Sequence, residues 1–374
     1  MKYFFLVLLL IASQQVKSQN DLINDTETHV IIHKVIDHTY NFEFDKAKSS
    51  LSEIKPKYGH HPVYEFLDAN IVYWDMVCNN TYKEKNSQYL ALLSTSLSKA
   101  NSMLRQNAKD VEGVFFSMAS ESAIALYYAE RNDHLKAINH VKKAYSLVKE
   151  GFKLKEQFVE FYFTTGLYNY YVEQYPETRP IFKPFMIFFS KGDKTQGLKE
   201  LDHTSKNGIF TKTEALSYLS NIYLKYEDQP EKALQYSSQL VNKYPNNYYF
   251  HSRHVEGLIF TGQYKQAEVY AYKLYKTGKK SFIFKSYIFY GLLNELHFKD
   301  YETSRKYYQQ ALNLSKELTA PDNDYLSFAY AGLARLAEIR GDRTGAINYY
   351  KKAQNIAEYT RIKKEAKEFL NKYD

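Results

Sequence analysis

Apolar residues recur every three or four positions over most of the chain, and this spacing is clearest near the carboxyl end. Between Ser327 and Gln354, two such runs are separated by the dipeptide Gly341-Asp342. A period near 3.6 residues predicts amphipathic helices, and a Gly-Asp pair predicts a tight turn between them. The sequence shows no runs of alternating apolar and polar residues bounded by hairpin turns, which would predict strands. The pattern therefore predicts an all-α chain built from helical hairpins.

The same hairpin pattern recurs along the chain, usually with a small residue near the start of each second helix. These anchor positions are Ala47, Leu93, Ala137, Gly197, Ala233, Ala267, Ser304 and Ala346. The spacings from Gly197 to Ser304 are 36, 34 and 37 residues, whereas the gap from Ala137 to Gly197 is 60 residues. Two helices pack most closely where their contacting side chains are small. The anchors therefore predict helix crossings, and the long gap predicts an insertion.

The unit containing Ala334, Ala346, Tyr350 and Ala353 resembles the tetratricopeptide repeat, which places small residues where its two helices cross. The spacings near 34 residues resemble that family as well. The resemblance implies an all-α solenoid of about eight hairpins that forms a right-handed superhelix, with the first helices on the concave side. The composition and repeat style also resemble exported tetratricopeptide proteins of the Bacteroidota.

The first residues have the composition of a secretory signal peptide. Lys2 precedes ten apolar residues, Tyr3 to Ala12, and a polar stretch follows. A helix of that length spans about 15 Å, only half of a bilayer core of about 30 Å. We therefore predict cleavage after Ser18 and export of a mature chain without a transmembrane segment to the periplasm, the cell surface or the medium.

The pattern divides the chain into four segments. They are a signal peptide (1–18), divergent hairpins (19–150), a degenerate hairpin with an aromatic and proline-rich insertion (151–210), and regular repeats with a C-terminal capping helix (211–374). Terminal repeats of a solenoid need a polar outer face. We therefore expect residues 359–374 to cover the open end of the last hairpin.

The insertion combines prolines with phenylalanines. Pro176, Pro180 and Pro184 predict that the helix starting at Glu156 ends at Tyr175. The phenylalanines that follow are Phe182, Phe185, Phe188 and Phe189. Such an apolar segment packs on another surface, so it either fills the apolar side of the preceding helix or forms a contact element for a partner or a membrane.

Charge and motifs exclude several functions. The chain has 374 residues and a net charge of +8, but acidic and basic residues alternate along it, which argues against nucleic acid as a partner. The motifs GxSxG, HExxH, GxxxxGK[ST], GxGxxG and CxxC are all missing from the sequence. We therefore predict a protein that is not an enzyme and has no cofactor.

Histidine and cysteine give little indication of a metal site. His29 and His33 have an i, i+4 spacing with Asp37 one turn further on, but no third ligand of matching strength is visible, so we predict no bound metal. His251 and His254 occupy positions that pack between helices in the repeat register, and we expect both to be buried. Cys78, the single cysteine, lies in an apolar helix and is expected to be a buried thiol.

The candidate binding residues follow from the repeat register of the first helices. They are Tyr218, Lys225, Tyr249, Arg253 and Arg335. Tyrosine and arginine are enriched at binding hot spots, and the Lys/Asn/Arg set by which some tetratricopeptide domains clamp a carboxylate is missing here. We predict a scaffold protein that presents this groove to a peptide or protein partner in the cell envelope. The alternative is a glycan or small-ligand binding protein, which requires a compact aromatic platform rather than a continuous groove.

Overall fold

The computed structural model describes residues 21–79, 81–178, 183, 187, 189–319 and 321–373. Across these residues the chain forms seventeen α-helices and no β-strand. The helices are α1 (Thr26–Tyr40), α2 (Phe44–Tyr58), α3 (Pro62–Asn79), α4 (Tyr82–Gln106), α5 (Val111–Glu130), α6 (His134–Leu154), α7 (Phe161–Thr178), α8 (Lys194–Asn207), α9 (Lys212–Lys225), α10 (Pro230–Lys243), α11 (Tyr248–Phe260), α12 (Tyr264–Lys276), α13 (Lys280–Leu293), α14 (Tyr301–Ser315), α15 (Asn323–Ile339), α16 (Arg343–Ile356) and α17 (Thr360–Leu370). Consecutive helices pack as hairpins from α1–α2 to α15–α16, and α17 packs on the last pair. The predicted all-α solenoid of about eight hairpins is confirmed.

The anchor residues lie at the crossings between helices. All eight fall on the second helix of a hairpin, and all are buried. Ala233, Ala267 and Ala346 are completely inaccessible to solvent. A larger side chain at such a position would push the two helices apart, which explains why small residues recur there.

Short turns with a common geometry separate the two helices of several hairpins. Gly341 has a φ of 75°, and Asn132 and Lys299 each have a φ of 58°. An aspartate follows each of these left-handed residues and caps the second helix: Asp342, for example, accepts a hydrogen bond of 2.9 Å from the backbone N–H of Gly345. Such a cap contributes about 1 kcal/mol to helix stability. The turn signal in the sequence therefore corresponds to a left-handed residue followed by an N-cap.

The helix before the insertion differs from its prediction at both ends. It begins at Phe161 rather than Glu156, and it continues through Pro176 to Thr178. Proline removes one hydrogen bond within the helix, but only two more residues follow it in α7, and the Thr178 hydroxyl donates to the carbonyl oxygen of Gln174 at 3.1 Å. The helix therefore ends three residues, or nearly one turn, later than predicted.

The last helix covers the final hairpin. Ala366, Phe369 and Leu370 of α17 pack against Ala346 and Tyr350 of α16. The remaining face of α17 carries lysine and glutamate and is exposed. A polar outer face of this kind suits the end of a solenoid. Within the described part of the chain, the helices are either too short or too polar to cross a membrane.

Candidate partner-binding cavity

Residues from distant parts of the chain meet on the side formed by the first helices of the hairpins, which we call the inner face. The Tyr244 hydroxyl donates to Asp37 Oδ1 at 2.9 Å, and Asn247 Nδ2 donates to the carbonyl oxygen of Tyr40 at 2.9 Å. The ring centroids of Tyr40 and Trp74 are 5.1 Å apart, and Trp74 also contacts Phe250 of α11. The first two hairpins are therefore joined to hairpins five and six.

The inner face of the last hairpins is filled by residues 357–363, which we call the C-terminal strap. Tyr359 is completely buried, and its hydroxyl binds both the carboxylate of Glu256 and the guanidinium of Arg253. Arg361 lies 3.9 Å above the ring of Phe260. This part of the inner face is consequently occupied by the chain itself rather than open to a partner.

A cavity of about 620 Å³ remains open beside the strap, between α5, α6, α7 and α9. We call it the tyrosine cavity. Its lining consists of Ser122, Val141, Val148, Thr164, Leu167, Tyr168, Tyr171, Tyr175, Tyr218, Asn221, Lys225, Tyr226 and Glu358. Most of these side chains are aromatic or aliphatic, with a few polar groups among them, as in many ligand sites.

Four tyrosines of the cavity form one cluster of rings. The Tyr171 ring is 5.4 Å from that of Tyr175 and meets those of Tyr218 and Tyr226 edge to face at 6.3 and 6.1 Å. Tyr175 is 47% exposed and Tyr218 is 37% exposed, which makes both rings accessible from solvent. The edge of Phe163 supports Tyr218 at 5.7 Å. The cluster is a preformed aromatic surface.

Burial favours the protonated phenols of Tyr171, Tyr218 and Tyr226. It raises the pKa of Tyr218 to about 12, and it also raises the pKa of Tyr226 to about 12. Burial raises the pKa of Tyr171 well above its usual value too. At neutral pH each of these hydroxyl groups is therefore a hydrogen-bond donor and carries no charge.

Two polar side chains of α9 complete the cavity. Lys225 Nζ lies 2.6 Å from Glu358 and 2.8 Å from Asp324. Burial opposes the charge of Lys225, but the two carboxylates outweigh it and raise the pKa of the ammonium group. The amide oxygen of Asn221 is buried without a hydrogen-bond partner among the described residues. The cavity thus contains a cation, paired with two carboxylates, next to its aromatic rings.

The sequence of the last hairpins matches a known repeat family. Residues 285–358, which span α13 to α16, match the tetratricopeptide repeat family model. The chain contains tetratricopeptide repeats. None of the curated proteins matches it.

Several solved structures with tetratricopeptide-like folds are similar to the chain at low identity. PilW, a type IV pilus biogenesis factor, is 12% identical with a TM-score of 0.38, over 68% of this chain and 98% of its own. Yeast Tom70 is 11% identical with a TM-score of 0.35, over 92% of this chain and 82% of its own. The C-terminal part of a repeat protein from Cytophaga hutchinsonii is 13% identical with a TM-score of 0.36, over 78% of this chain and 97% of its own.

The five groove residues chosen from the repeat register separate into two groups. Tyr218 and Lys225 both line the tyrosine cavity. Tyr249 packs on Phe282 and donates to a backbone carbonyl of α3, and Arg253 binds Glu256 and the strap. Arg335 binds Glu295 and Glu365. The register places all five on first helices, but Tyr249, Arg253 and Arg335 lie outside the tyrosine cavity and make contacts within the chain.

The apolar contact element lies largely beyond what the structure describes. Phe182, Phe185 and Phe188 are outside the described residues. Phe189 packs against the ring of Tyr145 of α6 at 4.9 Å, and the Tyr168 hydroxyl donates to the carbonyl oxygen of Ser190 at 2.6 Å. The end of the insertion therefore lies on α6 and α7, next to the tyrosine cavity.

Sequence reasoning missed most of the cavity, namely Tyr171, Tyr175, Asn221, Tyr226 and Glu358. The i, i+4 spacing of Tyr171 and Tyr175 places them on one face of α7, and this was an available signal. The position of Glu358 had no such signal, since it reaches Lys225 only through the path of the strap across the inner face.

The histidines and the cysteine lie largely where expected. His251 and His254 are buried beside Tyr270, as predicted, and burial lowers the pKa of each to about 4. His29 Nε2 lies 2.7 Å from the carbonyl oxygen of Leu22. The expectation of a buried Cys78 was wrong in degree: its thiol is only partly buried, 3.4 Å from Lys279 Nζ, because it lies where α3 approaches α13.

Proposed function

We propose that the chain is a non-enzymatic scaffold that binds a peptide segment of a partner protein in the tyrosine cavity. Tetratricopeptide proteins are generally protein-interaction scaffolds. The observation that carries the proposal is the cavity of about 620 Å³ whose lining includes two exposed tyrosines, Tyr175 and Tyr218. Tyrosine is one of the residue types that dominate binding energy at interfaces.

We further propose that the protein acts in the cell envelope. The support is the N-terminal sequence, in which a positive charge precedes a short apolar run and a polar stretch. Residues 1–18 lie outside the described residues. Detection of a mature N-terminus at Gln19 in the envelope fraction supports this location, whereas an uncleaved chain in the cytoplasm contradicts it.

The test of the binding site is a panel of random 12-residue peptides selected on the purified chain and measured by fluorescence anisotropy. Tyr218→Ala is expected to lower the affinity for the selected peptides about tenfold, equivalent to about 1.4 kcal/mol of binding free energy, because it removes an aromatic contact surface. Tyr272→Ala is the matched control, since Tyr272 is 51% exposed on α12, outside the cavity. Equal binding by wild type and Tyr218→Ala would move the site elsewhere.

A second candidate is a glycan or other small ligand. It is favoured by the compactness of the ring cluster, because Tyr171 and Tyr175 form a small platform rather than an extended groove. The cavity also falls in the size range of small-molecule sites, about 300–1,000 Å³. A glycan array probed with the same variants distinguishes the two: sugar binding that depends on Tyr175 and Tyr218, without peptide binding, identifies the alternative.

A further inference from the structure

The C-terminal strap reaches hairpin five through contacts that are mostly polar. The Thr360 hydroxyl donates to the carbonyl oxygen of Tyr226 at 2.9 Å, and Arg361 lies 2.6 Å from Asp228. Lys363 donates to the carbonyl oxygen of Thr178 at the end of α7, at 3.4 Å. Polar contacts of this kind are individually weak when water can reach them. The buried side chains of Ala357, Tyr359 and Ile362 therefore anchor the strap, and the residues between them are held by weaker polar contacts.

Glu358 lies at the wall between two cavities. It lines the tyrosine cavity, and it also lines a second cavity of about 510 Å³ whose other residues include Asp322, Gln354 and Lys363. Lys225 lines both cavities as well. The ion pair between Glu358 and Lys225 is consequently the partition that separates them.

Lys225 is arranged to keep its charge when Glu358 leaves. Its second partner, Asp324, is 2.8 Å away and belongs to α15, not to the strap. The Lys225 side chain is only 11% exposed, whereas that of Glu358 is 21% exposed. A carboxylate that enters from the tyrosine cavity can therefore replace Glu358 without creating an unpaired buried cation, which would be costly.

We propose that Glu358 is an internal stand-in for a carboxylate of the partner, and that the partner segment places an aromatic or large apolar side chain beside that carboxylate. The carboxylate takes the place of Glu358 on Lys225, and the apolar side chain packs on the rings of Tyr171 and Tyr218. This inference rests on the proposed function, and it names the chemistry of the peptide. The carboxylate belongs either to an Asp or Glu side chain or to the end of a chain.

Four synthetic hexapeptides test the proposal on the full chain. Each contains one phenylalanine, followed by an internal Glu, by an internal Gln, by a free C-terminal carboxylate, or by an amidated C-terminus. At least one acidic peptide is expected to bind wild type about fivefold more tightly than its uncharged counterpart. Which of the two does so identifies the source of the carboxylate.

Variants at the ion pair give the sharpest readout. Glu358→Gln removes the carboxylate that competes with the peptide for Lys225. It is expected to increase the affinity for the acidic peptide about fivefold and to leave the affinity for the uncharged peptide unchanged. Lys225→Gln is expected to abolish the difference in affinity between the acidic and uncharged peptides, and Lys225→Arg is expected to retain it. Glu365→Gln is the control, because Glu365 pairs with Arg335 away from the cavity.

A second measurement follows the strap itself. Hydrogen exchange of the amides of residues 358–361 is expected to accelerate when the acidic peptide binds, since the strap loses one of its contacts. If acidic and uncharged peptides bind with equal affinity to wild type and to Glu358→Gln, and if that affinity still depends on Tyr218, the inference about Glu358 is overturned and the proposed function stands. Peptides that fail to bind, or bind independently of Tyr218, would overturn the proposed function and this inference with it.

Discussion

At the scale of single residues, Tyr308 shows how the solenoid positions its helices. Its ring is completely buried between Gly291 of α13 and Gly332 of α15, and a Cβ atom at either glycine would overlap with the ring. Its hydroxyl donates to Glu295 at 2.7 Å, and Glu295 in turn binds Arg335. Glycine inside a helix costs about 1 kcal/mol relative to alanine. The close approach of an aromatic ring explains why both helices accept that cost.

Helix propensity alone predicts that replacing a helical glycine with alanine stabilises the protein, whereas this geometry predicts that it destabilises the protein. Gly332→Ala is expected to lower the free energy of unfolding by about 1–3 kcal/mol, because the ring of Tyr308 has no room to move away. Urea denaturation followed by circular dichroism measures the change. Gly257→Ala is the control in another helix interior, where a Cβ atom meets only the flexible Leu234 side chain at 3.3 Å or more. A stabilised Gly332→Ala protein would show that the clamp on Tyr308 does not exist.

At the scale of helices, the sequence predicts contacts between helices that are neighbours in the chain. It does not predict contacts between helices that are far apart in the chain. Ala346 was identified correctly because a helix crossing within one hairpin demands a small residue there, and that demand is visible locally. Arg253 was placed on the correct helix, but its partner Tyr359 lies 106 residues further along the chain. The tyrosine cavity likewise combines α5, α6, α7 and α9 with the strap. The repeat register does not predict contacts of this kind, because they depend on how tightly the solenoid curves.

The capping helix supports a prediction about a whole element. Deleting residues 359–374 removes Tyr359 and Phe369 from the core and exposes Ala346 and Tyr350. Since truncation of one large buried side chain already costs about 3–5 kcal/mol, the free energy of unfolding is expected to fall by at least that amount. Thermal and urea denaturation give the measurement. Deleting only residues 371–374 leaves α17 intact and should cost less than about 1 kcal/mol; equal stability of the long deletion would refute the capping role.

At the scale of the whole molecule, contacts on the inner face change how the repeats depend on one another. In an open solenoid each repeat contacts only its neighbours, so segments can unfold separately. Here Trp74 of α3 lies 6.1 Å from Tyr249 and 6.1 Å from Phe250 of α11, which joins hairpins two and six directly. The tyrosine cavity combines residues of α5, α6, α7 and α9 with Glu358 of the strap, so its shape depends on how the strap lies across the inner face.

Trp74, the only tryptophan in the chain, reports on this closure without any label. In wild type, Trp74 fluorescence and helical circular dichroism are expected to follow one urea transition, because the closure couples the two halves. Tyr249→Ala removes the contact with Trp74 and the hydrogen bond to the Val77 carbonyl oxygen, so the fluorescence transition should move to lower urea than the helical one. Tyr248→Ala is the matched control, since Tyr248 packs on His251 of its own helix and on Phe282 of the next repeat, and both transitions should move together. Separate fluorescence and helical transitions in wild type would show that the closure does not couple the two halves. Coincident transitions in Tyr249→Ala would show that the coupling does not depend on this contact.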